Sequence, residues 1–204
     1  MPLPDLRRSG EHALSLRAHF YGDSFTFGQG DPGGLGWVGR IAAKLPDVEI
    51  ANHGVPGAPA SYIVQSFRNT EFDPTRTELA IFCLGTNDAV LHLPQYDTVA
   101  AVSYALDWAG ELGVPVFWIG PPPIGDLVEE DVALRALSGA IESVTTARGV
   151  PFVSTFDELG EGSAWRAEAD AGDGSHPGAG GYAELAQLVE RAGLIDWIAQ
   201  HSAR

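Results

Sequence analysis

Serine, aspartate and histidine side chains at two distant points of the chain have the chemistry of an activated nucleophile. Ser24 follows Gly22 and Asp23 directly after an apolar run that predicts a β-strand. Asp173 and His176 share one short segment far along the chain. A serine hydroxyl is a weak nucleophile until a base removes its proton, and a free imidazole titrates near pH ~6.5. Because Asp173 could accept the second ring N–H of His176, the pattern indicates acyl transfer at Ser24.

Acyl transfer also requires hydrogen-bond donors for the negative oxygen of a tetrahedral intermediate. Three candidates follow predicted strands: the backbone N–H groups of Ser24 and Gly54, and the side-chain amide of Asn87. The carboxyl ends of parallel strands lie at one edge of a sheet, where α/β folds bind their ligands. We therefore expect these donors to lie close to the serine and histidine.

The elements that must position these groups alternate between short apolar runs and longer stretches of helical periodicity. Strands are predicted over 15–20, 48–51, 78–84, 114–119 and 150–153, and helices over 35–45, 59–67, 98–112, 130–148 and 178–192, the last followed by a short apolar tail over 194–198. This alternation predicts an α/β fold with a parallel sheet of five strands and helices on both faces. The irregular stretch 160–174 is predicted to be a loop with at most one turn of helix around Trp165.

The composition favours one acidic globular domain. The chain has 204 residues, 45 % of them apolar, and a formal net charge of −15. We expect a single domain over 1–204, with 1–12 as a candidate flexible segment. The negative charge argues against nucleic acid and anionic membrane surfaces as partners. Cys83 is the one cysteine, so neither an intrachain disulfide nor a multi-cysteine zinc site is expected. Without a signal-peptide pattern or a long apolar stretch, the expected location is cytoplasmic.

Several polar residues near the predicted strand ends have ordinary structural explanations. Asp23 and Asp88 are expected to accept hydrogen bonds from backbone N–H groups of their own turns. His53 and His92 are expected to contact substrate or solvent. The glycines between 28 and 36 match no phosphate-binding pattern and predict a mobile loop at the border of a cleft.

Four sequence blocks, in order and in typical spacing, resemble the GDSL-type esterase/lipase family of the SGNH hydrolase superfamily. The blocks are Phe20-Tyr21-Gly22-Asp23-Ser24-Phe25, Asn52-His53-Gly54-Val55-Pro56-Gly57, Gly85-Thr86-Asn87-Asp88 and Asp173-Gly174-Ser175-His176-Pro177. The resemblance implies a flavodoxin-like three-layer α/β/α sandwich. It also implies that Ser24 is the nucleophile, His176 the base and Asp173 its orienting partner. Ser24, Gly54 and Asn87 would form the oxyanion hole, with no metal or organic cofactor.

Two positions depart from the family pattern. Phe25 stands where the family name places leucine, and His53 stands where many relatives have a small residue. We expect a serine esterase that cleaves short-chain or O-acetyl esters of a small acylated substrate. A thioesterase or carbohydrate acetyl esterase of the same fold is the alternative, and a non-catalytic binding module is a further one. The sequence leaves open the physiological substrate, the acyl length and the oligomeric state.

Overall fold

A parallel sheet of five strands forms the centre of the fold in the computed structural model, which describes residues 16–124 and 128–202. In chain order the strands are β1 (Leu16–Gly22), β2 (Glu49–Gly54), β3 (Thr77–Cys83), β4 (Val116–Ile119) and β5 (Phe152–Val153). They are hydrogen-bonded in the order β2-β1-β3-β4-β5, and every neighbouring pair is parallel. This order confirms the predicted sheet and brings the ends of β1 and β3 side by side.

Helices cover both faces of the sheet. They are α1 (Ser24–Phe27), α2 (Gly36–Ala42), α3 (Ala60–Arg68), α4 (Thr86–Val90), α5 (Gln95–Leu112), α6 (Val128–Ala147), α7 (Ala164–Ala171), α8 (Ala179–Arg191) and α9 (Leu194–Ser202). In the ranges that the structure describes, none of them has both the length and the apolar character needed to cross a bilayer.

Alternation along the strands produces two separate apolar cores, because successive side chains point to opposite faces of the sheet. Phe20 of β1 and Ile81 of β3 pack with α2, α8 and α9 on one face. Tyr21 of β1 and Phe82 of β3 pack with α3, α5 and α6 on the other. The result is the three-layer α/β/α sandwich that the family resemblance implies. Cys83 is buried in the first core, as predicted.

Three short helices depart from the predicted pattern. α1 and α4 each begin directly after a strand and are too short to show helical periodicity. The expectation of a loop over 160–174 is wrong, because α7 occupies eight residues of it. Ser163 caps this helix by accepting the N–H of Arg166, and a serine before the buried Trp165 was the available signal. The proposed flexible segment 1–12 lies outside the described residues.

The end of β1 is packed so closely that only glycine fits at position 22. A Cβ atom on Gly22 would lie 2.0 Å from the Thr26 hydroxyl oxygen and 2.3 Å from the carbonyl oxygen of Cys83. The second contact is to backbone, so rotation of a side chain cannot relieve it. The absent side chain therefore lets α1 and β3 approach the end of β1.

We expect Gly22→Ala to lower the free energy of unfolding by about 2–3 kcal/mol, because an added methyl group overpacks this site. Gly139→Ala is a matched control, since nothing lies within 4 Å of a Cβ at that exposed position of α6. The control should gain about 0.5–1 kcal/mol from helix propensity. Urea denaturation measures both changes, and equal stability of the two variants would contradict the packing argument.

Candidate active site

Ser24 lies at the junction of β1 and α1, where it is the first residue of the helix. Asp23 caps α1, its Oδ1 accepting the N–H of Phe25 at 3.0 Å, as the sequence predicts for a turn aspartate. The first N–H groups of a helix have no carbonyl partner within it, so the Ser24 N–H remains a candidate donor. The Ser24 residue is 7 % exposed, so its environment is largely protein.

His176 and Asp173 meet Ser24 in one continuous chain of hydrogen bonds. The distance between His176 Nε2 and Ser24 Oγ is 2.8 Å. The distance between His176 Nδ1 and Asp173 Oδ2 is 2.7 Å. Because a carboxylate accepts only, the ring donates its Nδ1–H to Asp173, and Nε2 is left to accept the serine hydroxyl proton. The structure thus brings together the three side chains that the sequence predicts.

The carboxylate of Asp173 is held in its ionised form by its own segment. Partial burial raises its pKa, but this effect is outweighed by hydrogen bonds from the His176 backbone N–H, the His176 ring and the Ser175 N–H. The two backbone N–H groups donate to Oδ1 at 2.8 and 2.9 Å. Together these bonds lower the pKa of Asp173 to about 2. The group facing the imidazole is therefore an anion throughout the neutral pH range.

Asn87 lies in α4, beyond the end of β3, the strand next to β1. One N–H of its side-chain amide donates to the carbonyl of Ala58 at 3.1 Å, which fixes the amide, and its second N–H has no acceptor within 16–124 and 128–202. The neighbouring Asp88 accepts a hydrogen bond from its own backbone N–H, as expected for a turn aspartate, and it also has partners outside the turn. Its two oxygens accept the Ala60 N–H and the Thr98 hydroxyl, so it connects α4 to α3 and α5.

The backbone N–H of Gly54 already has an acceptor in this structure. It donates to Asn52 Oδ1 at 2.9 Å, and the Asn52 amide in turn donates to the carbonyl of Thr26. A Cβ at position 54 would lie 2.2 Å from the backbone nitrogen of Phe27, so this glycine is required for packing against α1. The donor that the family resemblance assigns to Gly54 is therefore occupied.

A second glycine of the same block, Gly57, presents a free donor. It lies in the turn that the Ala58 N–H closes onto the Val55 carbonyl, with φ at +75°. That left-handed conformation suits glycine, because a side chain there is strained. Among the described residues, none accepts a hydrogen bond from the Gly57 N–H. Its neighbour Ala58 accepts from Asn87, which places this turn beside the amide. The sequence pattern favoured Gly54 because, of the two glycines, it lies nearer to the end of the predicted strand 48–51.

Asp23 is a second carboxyl group close to Ser24, in an environment opposite to that of Asp173. The Asp23 residue is 1 % exposed, and burial raises its pKa to about 7 although the Phe25 N–H opposes the shift. Its nearby buried neighbours include Cys83, whose thiol pKa is raised by burial. Asp23 shapes the turn that carries Ser24, and in the part of the chain that the structure describes it makes no hydrogen bond to the imidazole.

His53 is the partly buried end of a chain of hydrogen-bonded side chains that does not include Ser24. Its Nε2 lies 2.8 Å from His19 Nδ1, and His19 Nε2 lies 2.7 Å from Glu78 Oε2. Burial and the nearby His19 lower the pKa of His53 to about 4. His53 also stacks on Tyr21 with ring centres 4.7 Å apart. No local pattern of residues indicated this cluster, because its members are brought together by the pairing of β1 with β2 and β3.

The glycine-rich loop after α1 is held to the protein by specific hydrogen bonds, although the sequence predicts a mobile loop. Asp31 accepts the N–H groups of Gly33 and Gly36 at 3.0 Å and also pairs with Arg40. The Tyr182 hydroxyl of α8 donates to the Gln29 carbonyl at 2.6 Å. The loop therefore contacts the helix that follows His176.

His92 is exposed, as expected, and has a φ of +51° at the end of α4. Across the described ranges, no group of three or more histidine, cysteine, aspartate or glutamate side chains is arranged to hold a metal ion.

Comparison with solved structures shows the same fold in proteins of low sequence identity. A member of the G-D-S-L lipolytic family from Veillonella parvula matches with a TM-score of 0.71 at 20 % identity, over 86 % of this chain and 97 % of that chain. An acetylxylan esterase from Geobacillus stearothermophilus gives a TM-score of 0.74 at 16 % identity, over 88 % and 94 %. A lipase/acylhydrolase from Enterococcus faecalis gives 0.66 at 21 % identity, over 87 % and 95 %.

Sequence comparison agrees with the structural one at the level of the family. None of the curated proteins matches the sequence. The model of the GDSL-like lipase/acylhydrolase family matches residues 20–184, a range that includes all four sequence blocks. The chain therefore belongs to the GDSL-like lipase/acylhydrolase family and is a hydrolase that acts on ester bonds.

Proposed function

We propose that the protein is a serine esterase that cleaves short-chain carboxylic or O-acetyl esters through an acyl-enzyme intermediate. The observation that carries this proposal is the 2.8 Å contact between His176 Nε2 and Ser24 Oγ. Ser24 is the nucleophile, His176 the general base and Asp173 the group that orients the ring and stabilises its protonated form.

The hydrogen bonds define the order of proton transfers. As Ser24 Oγ attacks the ester carbonyl carbon, its proton passes to His176 Nε2. The tetrahedral intermediate collapses by breaking the bond to the alkoxy oxygen, and His176 gives its proton to the leaving alcohol. Water then attacks the acyl-serine, His176 takes the water's proton, and the same proton returns to Ser24 as the acid departs. Asp173 remains ionised throughout these steps.

Three donors are proposed for the oxyanion: the Ser24 N–H, the free amide N–H of Asn87 and the Gly57 N–H. Gly57 replaces Gly54 in this assignment because the Gly54 N–H is bonded to Asn52. Both Asn87 and Gly57 adjoin Ala58, which supports placing them on the same side of the serine. Donors aimed at the developing negative charge stabilise the transition state more than the bound ester.

A small acyl group fits the exposure of this site best. The Asp173 side chain is 54 % exposed, so the hydrogen-bonded chain lies open to solvent at its outer end. Two exposed apolar side chains follow the serine and the asparagine: Phe27, at the end of α1, and Leu91, just after α4, each 55 % exposed. Such separate apolar residues can contact a short acyl chain, whereas a long chain requires a continuous apolar groove. The acetylxylan esterase of the same fold makes a carbohydrate O-acetyl ester the alternative substrate.

The wild-type protein should hydrolyse p-nitrophenyl acetate and butyrate faster than palmitate, and Ser24→Ala should abolish all three activities. The reason is the loss of the only proposed nucleophile. Ser61→Ala, at an exposed position of α3, is the matched control and should retain full activity. A faster rate with palmitate would refute the short-chain assignment.

A fluorophosphonate probe separates an esterase from a binding protein of the same fold, since it reacts only with an activated serine. Labelling of the wild type and of Ser61→Ala, without labelling of Ser24→Ala, is expected. An unlabelled wild type would favour the non-catalytic alternative.

The acid side of the pH profile should show a single ionisation. Lowering the pH protonates the imidazole, which then cannot accept the Ser24 proton, so kcat/KM falls. Asp173, with a pKa of about 2, stays ionised and adds no second proton in the range where the protein can be assayed. A plot of log kcat/KM against pH should therefore have a limiting slope of about 1. A slope of 2 would mean that a carboxyl group must also be ionised for activity, either Asp173 or the buried Asp23 with its pKa of about 7.

Asn87→Ala should lower kcat by about 10²–10³-fold with little change in KM, because the lost donor acts on the transition state. Steady-state kinetics with p-nitrophenyl acetate measure both constants. Asn69→Ala, an exposed amide at the end of α3, serves as the control and should leave kcat unchanged. A rise in KM at constant kcat would instead assign Asn87 to ground-state binding.

A further inference from the structure

The segment that carries Asp173 and His176 is a connection between two helices, α7 and α8. It spans residues 172–178, and neither proposed catalytic side chain lies within a helix or strand. The geometry of the Ser24–His176 contact therefore depends on how the two helices hold the ends of this segment. A displacement of about 1 Å at a reacting group is enough to reduce a rate strongly.

A carboxylate from α7 binds the first turn of α8 across this segment. Glu168 Oε1 accepts the N–H of Gly180 at 3.1 Å, and Oε2 accepts the N–H of Gly181 at 2.7 Å. The N-cap residue of α8, Gly178, has no side chain to cap the helix itself. Glu168 supplies the cap from another helix, and its negative charge also suits the positive end of the helix dipole.

The glycines at the start of α8 form a cradle for this carboxylate. A Cβ on Gly180 would lie 2.5 Å from Glu168 Oε1, and one on Gly178 would lie 3.2 Å from Oε2. A Cβ on Gly181 would lie 2.7 Å from the Cα of Trp165, so the two helices could not approach as closely. Three glycines among four residues weaken a helix, so their presence here fits the need for close approach.

The two helices cap each other reciprocally. Glu184 of α8 accepts the N–H groups of Ala164 and Trp165 at the start of α7, at 3.0 and 2.9 Å. The carboxylate of each helix thus binds the first N–H groups of the other helix. The Glu168 contact closes the shorter stretch of chain around residues 172–178, whereas the Glu184 contact lies at the end of α7 that is farther from this segment. This difference provides a matched comparison.

We propose that Glu168 is a positioning residue for the active site, because its bidentate contact with Gly180 and Gly181 fixes the segment that presents Asp173 and His176. The inference rests on the proposed function of that segment. Glu168 touches neither substrate nor the reacting atoms, and it acts through the backbone of α8.

The first test compares Glu168→Ala with Glu184→Ala in kinetics on p-nitrophenyl acetate and in thermal unfolding. Each variant loses two hydrogen bonds to a helix start, so similar decreases in Tm are expected. Glu168→Ala should lower kcat about 10-fold with KM within about 2-fold, because misalignment affects the transition state. Glu184→Ala should keep kcat within about 2-fold. Glu168→Gln should give an intermediate kcat, since its single oxygen accepts whereas its amide nitrogen cannot.

A second variant separates positioning from general destabilisation. Gly180→Ala should improve helix propensity while its Cβ displaces the Glu168 carboxylate. We expect it to lower kcat in the wild-type background and to have no effect on kcat in Glu168→Ala. The inference would be overturned if Gly180→Ala lowered kcat by the same factor in both backgrounds. It would also be overturned if Glu168→Ala kept the kcat of the wild type.

Amide hydrogen exchange tests the inference without any substrate. Residues 172–178 should exchange faster in Glu168→Ala than in Glu184→Ala, and equal rates would overturn it even if no esterase activity were found. If the wild type is active and labelled at Ser24 while Glu168→Ala behaves like it, only this inference fails. If the wild type is inactive but residues 172–178 still exchange faster in Glu168→Ala than in Glu184→Ala, the inference is upheld and the esterase assignment is refuted instead.

Discussion

The contact between His176 Nε2 and Ser24 Oγ, at 2.8 Å, is the interaction on which the proposed chemistry depends. It joins a residue just beyond β1, an interior strand of the sheet, to a residue between α7 and α8, two helices that contribute to the first core. Neither end is free to adjust, because β1 is paired on both sides and α8 is packed into that core. The site is therefore a consequence of the packing of the whole sandwich.

Two aspartates close to Ser24 show how environment assigns different properties to the same side chain. Asp173 is half exposed but accepts two backbone N–H bonds and a ring N–H, and these lower its pKa to about 2. Asp23 is buried, and desolvation raises its pKa to about 7. One carboxyl group thus supplies a permanent negative charge to the imidazole, whereas the other favours its neutral form and caps a helix.

Close backbone approach is the second constraint that recurs around the site. Gly22, Gly54 and Gly180 each occupy a position where a Cβ would collide with a neighbouring element. At Gly22 and Gly54 the neighbours include the backbone of β3 and α1, and at Gly180 the neighbour is the Glu168 carboxylate. Each glycine allows two neighbouring elements to pack closely: β1 with α1 and β3 at Gly22, β2 with α1 at Gly54, and α8 with α7 at Gly180. These elements carry or adjoin Ser24, Asn87 and His176. Packing and the proposed chemistry therefore depend on the same positions.

Local patterns were sufficient for the outline of the fold and for most of the candidate site. The alternation of apolar runs and helical periodicity predicted all five strands and the two-sided layer arrangement, because burial imposes periods of two and 3.6 residues. The residue types and positions of Ser24, Asp173 and His176 in their sequence blocks predicted the three side chains that form the hydrogen-bonded chain. α7 was missed because its eight residues carry too short a periodic pattern against a background of glycines.

The amino-acid sequence by itself determined the fold class, the family and the identities of the serine, histidine and aspartate. Only the tertiary structure decided that the Gly54 N–H is occupied by Asn52, that His53 belongs with His19 and Glu78, and that Glu168 caps α8. These are hydrogen bonds between groups whose direction and distance depend on strand pairing and helix packing. Such geometry is a property of the assembled layers, and no local pattern of residue types contains it.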